Sequence, residues 1–140
     1  MLFVKTPRRG VDHYGSGAYL ASRGGRLHNG VDFAAFPGSD CLSLTAGKVT
    51  KIGFPYRYDA ANPEKAKYRY VEVTFLEKRL RYFYLNPAVS LGDRVNAGDV
   101  LGAVQDLSIT YKEITPHVHF EIKDGSGNFI DPDIYIASLG

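Results

Sequence analysis

The chain is 140 residues long, 44% hydrophobic and 13% aromatic, which suffices for one buried core and excludes a disordered segment. Its formal net charge is only +2, no apolar run approaches the length of a membrane-spanning helix, and seven prolines and fifteen glycines break the chain into short pieces. A lone Cys41 excludes an internal disulfide and a cysteine-based zinc cluster, and CLSL reads as a short strand with that thiol as a small buried hydrophobe.

Taken in chain order, the start MLFVKTPRRG has too short an apolar stretch to serve as a secretory signal, so synthesis in the cytoplasm is expected. Residues 1–26 carry Lys5, Arg8, Arg9, Arg23 and Arg26 against a single acid, Asp12. Such an arm, most basic over residues 1–11, suits an anionic polymer such as a cell wall or a membrane surface, or is merely solvated. Nucleic acid is the weaker partner because no recognised binding motif accompanies the charge. His13, in DHYGSG, reads as a surface or loop-ordering residue. The glycines at 15–17 and 24–25 are turn residues and not a phosphate cradle.

Beyond them, β-branched and aromatic runs predict strands at Cys41–Leu44, Lys48–Ile52, Arg69–Leu76, Arg81–Leu85, Val100–Val104 and His117–Lys123. GFPYRYDAANPEKAK, between Ile52 and Tyr68, and DLSITYKEITP, from Asp106 to Pro116, read as long surface loops, the kind that carry function on a rigid sheet. LGDRVNAGDVLG has the Gly-Asp pairs of a hairpin-like turn, and Asp131-Pro132 reads as a chain-terminating turn. There is almost no helix signal. The expectation is a mainly β, antiparallel sandwich or barrel, a single domain over residues 1–140, and a monomer.

HVHFEI raises the chemical question. Strand alternation puts His117, His119 and Glu121 on one face and Val118, Phe120 and Ile122 on the other, core-facing side. Two histidines on one strand face suit a solvated surface, a pH switch or a metal site. RLHNGVDFAAFPGS adds His28 and Asp32, four apart, with Gly30 between them allowing a close backbone approach. A His, a carboxylate and one more His make a three-ligand zinc site whose fourth position stays open, the mark of catalytic zinc. Either motif alone is weak; together they use three of only four histidines and favour metal.

At these residues the chain resembles the lysostaphin/LytM-type zinc metallopeptidases, which cut peptide bonds in bacterial peptidoglycan. RLHNGVDFAAFPGS, TAGKV, LGDRVNAGDVLG, PHVHFEI and DPDIYI carry the resemblance, which runs from about Asp12 to Ile136. It implies an antiparallel sheet with a loop-walled groove and zinc on its floor. It implies that His28, Asp32 and His119 hold the zinc and that His117 is the catalytic histidine beside it. Residues 54–67 and 107–116 match the groove walls. There Tyr56, Arg57 and Tyr58 can stack on sugar or peptide, with loop packing as the alternative, and Tyr111 is a further groove candidate.

One position departs from the family. A strand that usually reads Y-x-H-L, with a second catalytic histidine, here reads Tyr82-Phe83-Tyr84-Leu85. A similar tyrosine, and a likeness to HYGSGAY…HNGVD, occur in the leukocyte cell-derived chemotaxin branch, whose disulfides a single cysteine forbids here. A phenol, with an ordinary pKa of about 10, is no base at neutral pH, but it can donate to the oxyanion of a tetrahedral intermediate. The expected activity is therefore that of a zinc metalloendopeptidase on peptidoglycan peptides, with His117 and Tyr84 as catalytic groups. A phage endolysin or virion-associated lysin, acting on the wall after release, fits that reading. The alternative is a catalytically silent zinc-bearing domain that binds wall peptides or a protein partner.

Overall fold

The computed structural model describes residues 29–139 and, as backbone, four short strands before them. Those are β1 (Val11–Asp12), β2 (Gly15–Ser16), β3 (Ser22–Arg23) and β4 (Arg26–Leu27), paired β1–β2 and β3–β4. His13, His28 and most of the basic arm lie outside the described residues.

The body is built from β5 (Val31–Ala34), β6 (Asp40–Leu42), β7 (Gly47–Gly53), β8 (Tyr70–Phe75), β9 (Lys78–Phe83), β10 (Leu85–Pro87), β11 (Arg94–Val95), β12 (Val100–Val104), β13 (His117–Lys123) and β14 (Phe129–Ile130). The main sheet runs β11-β7-β8-β9-β13-β14, with β5 also on β13, and a three-stranded sheet runs β10-β12-β6. All pairs are antiparallel. The mainly β expectation holds in its sandwich form. The barrel does not form: the strand order of neither sheet closes on itself, and β11 and β14 remain as edges.

The core lies where alternation puts it. Val31 and Phe33 of β5, Val71 and Val73 of β8, Leu80 and Tyr82 of β9, and Val118, Phe120 and Ile122 of β13 pack with Cys41, Leu85, Leu101 and Val104 of the smaller sheet. Phe120 anchors it, 5.0 Å from the Tyr82 ring and 6.3 Å from that of Phe33. Tyr82 keeps its polar end satisfied by accepting from the Leu44 backbone N–H at 3.0 Å, as a buried phenol must. Burial pushes the Cys41 thiol up to about 12, so it packs as an inert hydrophobe.

Several elements were hidden from the sequence. Asp131-Pro132 begins an α-helix, α1 (Pro132–Leu139), where a chain-terminating turn was expected. Its start follows capping rules, with Asp131 Oδ1 accepting from the Asp133 N–H at 2.9 Å and proline first in the helix. The loop after β7 contains a 3-10 turn, Pro63–Lys67, again opened by proline. In the Gly-Asp segment the same turn occurs twice: Asp93 Oδ2 and Asp99 Oδ2 each accept from a backbone N–H three residues earlier, at 2.8 Å, and Gly92 and Gly98 take φ near 90° (92° and 93°).

The β8–β9 hairpin turns through Leu76 and Glu77, both with positive φ (47° and 66°), a conformation that favours Asn-Gly and costs an ordinary side chain. The expected strands Arg69–Leu76 and Arg81–Leu85 leave a break here, but the sequence does not mark the turn pair, because neither residue is a turn former. Replacing the pair with Leu76→Asn and Glu77→Gly should raise unfolding stability by about 1 kcal/mol, read from the denaturant midpoint at unchanged slope. An unchanged midpoint would show that the turn carries no strain.

Candidate active site

The site forms on the face of the main sheet opposite the core, where β13 lies between β5 and β9. His119 stands directly opposite Asp32 of β5 on one side and Phe83 of β9 on the other. Directly opposed residues share a face, so register alone brings the imidazole and the carboxylate together. The approach of the chain before β5 is equally tight. A Cβ on Gly30 would sit 2.2 Å from the Phe120 carbonyl oxygen and 2.9 Å from His119 Cε1, so only glycine fits.

Asp32 is 1% exposed, and its two oxygens face the two histidines. Oδ1 lies 2.9 Å from His119 Nδ1 and Oδ2 lies 3.7 Å from His117 Nε2. The other nitrogen of each ring is engaged as well. His119 Nε2 is 2.9 Å from Glu121 Oε1, and His117 Nδ1 is 2.8 Å from the Thr115 carbonyl. A carbonyl only accepts, so Nδ1 of His117 carries a proton and, in the neutral ring, Nε2 carries the lone pair that faces the site. Beyond Glu121 the same face continues in charge: Arg81 Nε bonds Glu72 Oε2 at 2.7 Å, and Thr50 donates to Glu72 Oε1 at 2.8 Å.

His119 is thus held between two carboxylates. Burial would lower its pKa, but the bonds to Asp32 and Glu121 prevail and push it up to about 9. Metal-free, the imidazolium neutralises the buried pair.

A metal bound here would take the place of that proton on Nδ1. Nδ1 of His119 with a carboxylate oxygen of Asp32 is an N/O donor set of the kind zinc accepts, and Glu121 on the far nitrogen is the outer carboxylate that commonly orients a ligating histidine. The residues therefore fit zinc. Among the described residues no group of three or more His, Cys, Asp or Glu side chains is arranged to hold a metal ion, and the third expected ligand, His28, lies outside them. Glu121 was on the right face by alternation; its role as partner of His119 appears only once the ring is oriented.

Tyr84 reaches the site by a backbone device. Strict alternation would put it on the face opposite Phe83. Instead its φ is +74°, fixed by its own N–H donating to the Arg69 carbonyl at 2.7 Å and its carbonyl accepting from the Gln105 N–H at 2.8 Å. Both rings consequently flank the histidines, Phe83 edge-on to His119 at 5.0 Å and Tyr84 edge-on to His117 at 5.5 Å. Strained backbone of this kind is characteristic of functional sites.

The two long loops meet beside Tyr84. Its hydroxyl lies 2.8 Å from that of Tyr56, from the loop after β7, and Tyr111, from the loop before β13, donates to Tyr56 at 3.3 Å. Gln105, buried, braces the wall by accepting from the Arg69 N–H at 2.9 Å and donating to the Lys67 carbonyl at 2.8 Å. Of the three groove candidates, Tyr56 and Tyr111 are thereby tied to Tyr84, and Tyr58 is 72% exposed.

Residues 26–132 match the family model described as peptidase family M23. The chain belongs to that family. Leukocyte cell-derived chemotaxin-2 from Bos taurus is 30% identical to this M23 chain over 128 residues, 91% of this chain and 78% of the relative. Among solved structures, Helicobacter pylori Csd3 is 28% identical, with a TM-score of 0.62 over 84% of this chain and 29% of Csd3, so the chain spans under a third of that protein. The catalytic domain of the antimicrobial peptidase lysostaphin from Staphylococcus simulans is 25% identical, with a TM-score of 0.63, over 89% of this chain and 90% of that domain. The lysostaphin-type resemblance of the motifs is thereby borne out, as is the chemotaxin likeness.

The raised pKa of His119 makes the metal-free protein pH-sensitive in a defined direction. A group raised from 6.5 to about 9 stabilises fully below its unfolded value and loses that contribution as pH rises through the folded one. Chelator-treated protein should therefore lose melting temperature between pH 7 and pH 9, and His119→Gln should flatten that slope. A parent profile as flat as that of the variant would remove the imidazolium from the account.

Proposed function

We propose that this M23 chain is a zinc-dependent endopeptidase that cleaves peptide bonds of bacterial peptidoglycan. The observation that supports it best is the convergence of Asp32, His119 and His117 on one buried patch, with a phenol placed beside them. His119 through Nδ1 and Asp32 through its carboxylate would hold the zinc, with His28 as the third ligand. Bound there, zinc would supply Lewis-acid polarisation of the scissile carbonyl.

The chain's own residues do the rest. Thr115 holds His117 in the tautomer whose Nε2 takes a proton from the attacking water. The imidazolium so formed faces Asp32 Oδ2, 3.7 Å away, which favours its charge. It then returns the proton to the leaving amine. Tyr84 donates from its hydroxyl to the oxygen that becomes negative in the tetrahedral intermediate, the work a second histidine does elsewhere in the family. Exposed Tyr58 offers a face on which sugar or peptide can stack, and the basic residues among 1–26 would seat the protein on an anionic wall. Cytoplasmic synthesis followed by release onto the wall, as in a phage endolysin or virion-associated lysin, is the setting we infer.

A second reading has an observation of its own. Tyr84 stands where the family's catalytic histidine is usual, and a relative at 30% identity is a chemotaxin. In that reading the same patch binds zinc and the groove binds wall peptides or a protein partner without cutting. Release of free amines and loss of turbidity from purified peptidoglycan, with zinc-loaded and chelator-treated protein, separates the two. Zinc-dependent cleavage supports the peptidase; full zinc occupancy with no cleavage of any wall preparation supports the binding domain.

Two substitutions test the roles. His117→Ala should nearly abolish hydrolysis while zinc stays bound, measured by metal analysis alongside amine release; parent-like turnover would mean that another group takes the proton. Tyr84→Phe removes only a hydroxyl, so fold and zinc content should persist while kcat falls on the order of tenfold to a thousandfold at nearly unchanged KM. Hydrolysis as fast as the parent's would end the oxyanion assignment.

A further inference from the structure

We infer that Tyr56 is a positioning residue whose hydroxyl donates to Tyr84 and thereby turns the Tyr84 O–H toward the reacting carbonyl. The inference rests on the reading of Tyr84 as a donor and adds what aims it. Each phenol has one proton. Tyr111 donates to Tyr56 at 3.3 Å, so the oxygen of Tyr56 is already an acceptor, and its own proton lies in reach of Tyr84 at 2.8 Å. A hydroxyl that receives such a bond must direct its proton elsewhere, and it becomes the stronger donor for having accepted. The chain thus has a direction, Tyr111 to Tyr56 to Tyr84, ending beside His117.

The surroundings fix everything in this chain except the torsions of the O–H groups. Tyr56 lies nearly parallel to Tyr84, with ring centroids 6.5 Å apart at 22°. Tyr68, itself buried and bonded to Thr110 Oγ1 at 2.9 Å, stands edge-on to both rings at 6.2 and 5.7 Å. The positive φ of Tyr84 and its two backbone bonds hold its Cα. Lys65 Nζ lies 5.5 Å from the centroids of both Tyr56 and Tyr111, where a cation draws electron density from the rings and strengthens their O–H groups as donors. Burial pushes the Tyr56 phenol up, so it stays protonated throughout the neutral range.

The reverse polarity makes an opposite prediction. If Tyr84 donated to Tyr56, its proton would be turned away from the groove, and removing the Tyr56 hydroxyl would leave hydrolysis unchanged or faster.

The test compares zinc-loaded parent, Tyr56→Phe, Tyr84→Phe and the double variant on purified peptidoglycan, with tyrosine labelled at Cζ for NMR. Tyr56→Phe keeps the ring stack, so the fold is retained. Expected are a fall in kcat of roughly threefold to thirtyfold at constant KM, no further loss when the change is added to Tyr84→Phe, and a shift of the Tyr84 Cζ resonance. Unchanged or raised kcat, or an equal loss in both backgrounds, overturns the inference. If Tyr84→Phe itself costs nothing, the oxyanion reading fails on its own. The bridge is then decided by the resonance alone: in Tyr56→Phe a shift of the sign expected for loss of an accepted hydrogen bond at Tyr84 sustains it, and a shift of the opposite sign or an unmoved signal overturns it.

Discussion

The pairing of β13 with β5 is the constraint on which the site depends. His119 opposite Asp32 and Val118 opposite Phe33 are consequences of one register. The core fixes that register, because Val31, Phe33, Val118 and Phe120 must all face inward. A slip of one residue would carry the apolar set to solvent and the Asp32 carboxylate into the core, a change that costs many times the free energy of any single contact in the site. The Asp32–His119 pair is thus held by hydrophobic packing on the reverse side of the same strands. Gly30 belongs to the same arrangement, since its close approach to Phe120 and His119 brings the chain into β5.

Charge on this face is arranged in alternation. Asp32, His119 and Glu121 form a carboxylate–imidazole–carboxylate row, and Arg81 with Glu72 extends it along the sheet. Such a row is costly with any member unpaired and stable when every charge has a partner, so the metal-free site keeps a proton where a divalent cation would sit. Hydrogen bonds on the far nitrogens, from His119 Nε2 to Glu121 and from His117 Nδ1 to the Thr115 carbonyl, orient both rings.

The aromatic wall solves a different problem. A phenol is longer than an imidazole and cannot serve as a base at neutral pH, so its value lies in where it points its proton. Left-handed backbone at Tyr84, the perpendicular ring of Tyr68 and the bond to the Tyr56 hydroxyl hold the phenol in place, and Gln105 fastens the loop that supplies Tyr56 to the sheet. The two loops are consequently joined through the Tyr111–Tyr56 bond, next to Tyr84. That joining is compatible with cleavage and with tight, uncatalysed binding, because both need a wall that does not yield.

Much of this was legible in the residues. Period-two alternation gave the faces of β13, the runs of β-branched and aromatic residues placed the main strands to within a few positions, and two short motifs picked out Asp32, His117 and His119. The Gly-Asp pairs read as turns, whereas the Asp-Pro pair that starts α1 reads as a terminating turn although its local capping chemistry is present. By contrast, nothing local tells that Glu121 takes the second nitrogen of His119 or that Tyr84 abandons alternation. Those outcomes come from partners distant in sequence: Asp32 is 87 residues from His119, and the bonds that hold Tyr84 come from Arg69 and Gln105. Sequence by itself determined which side chains share a face, because that follows from the geometry of one strand. Only the tertiary structure decided which faces meet and how each ring is turned, because hydrogen-bond direction is set by the neighbour that folding supplies.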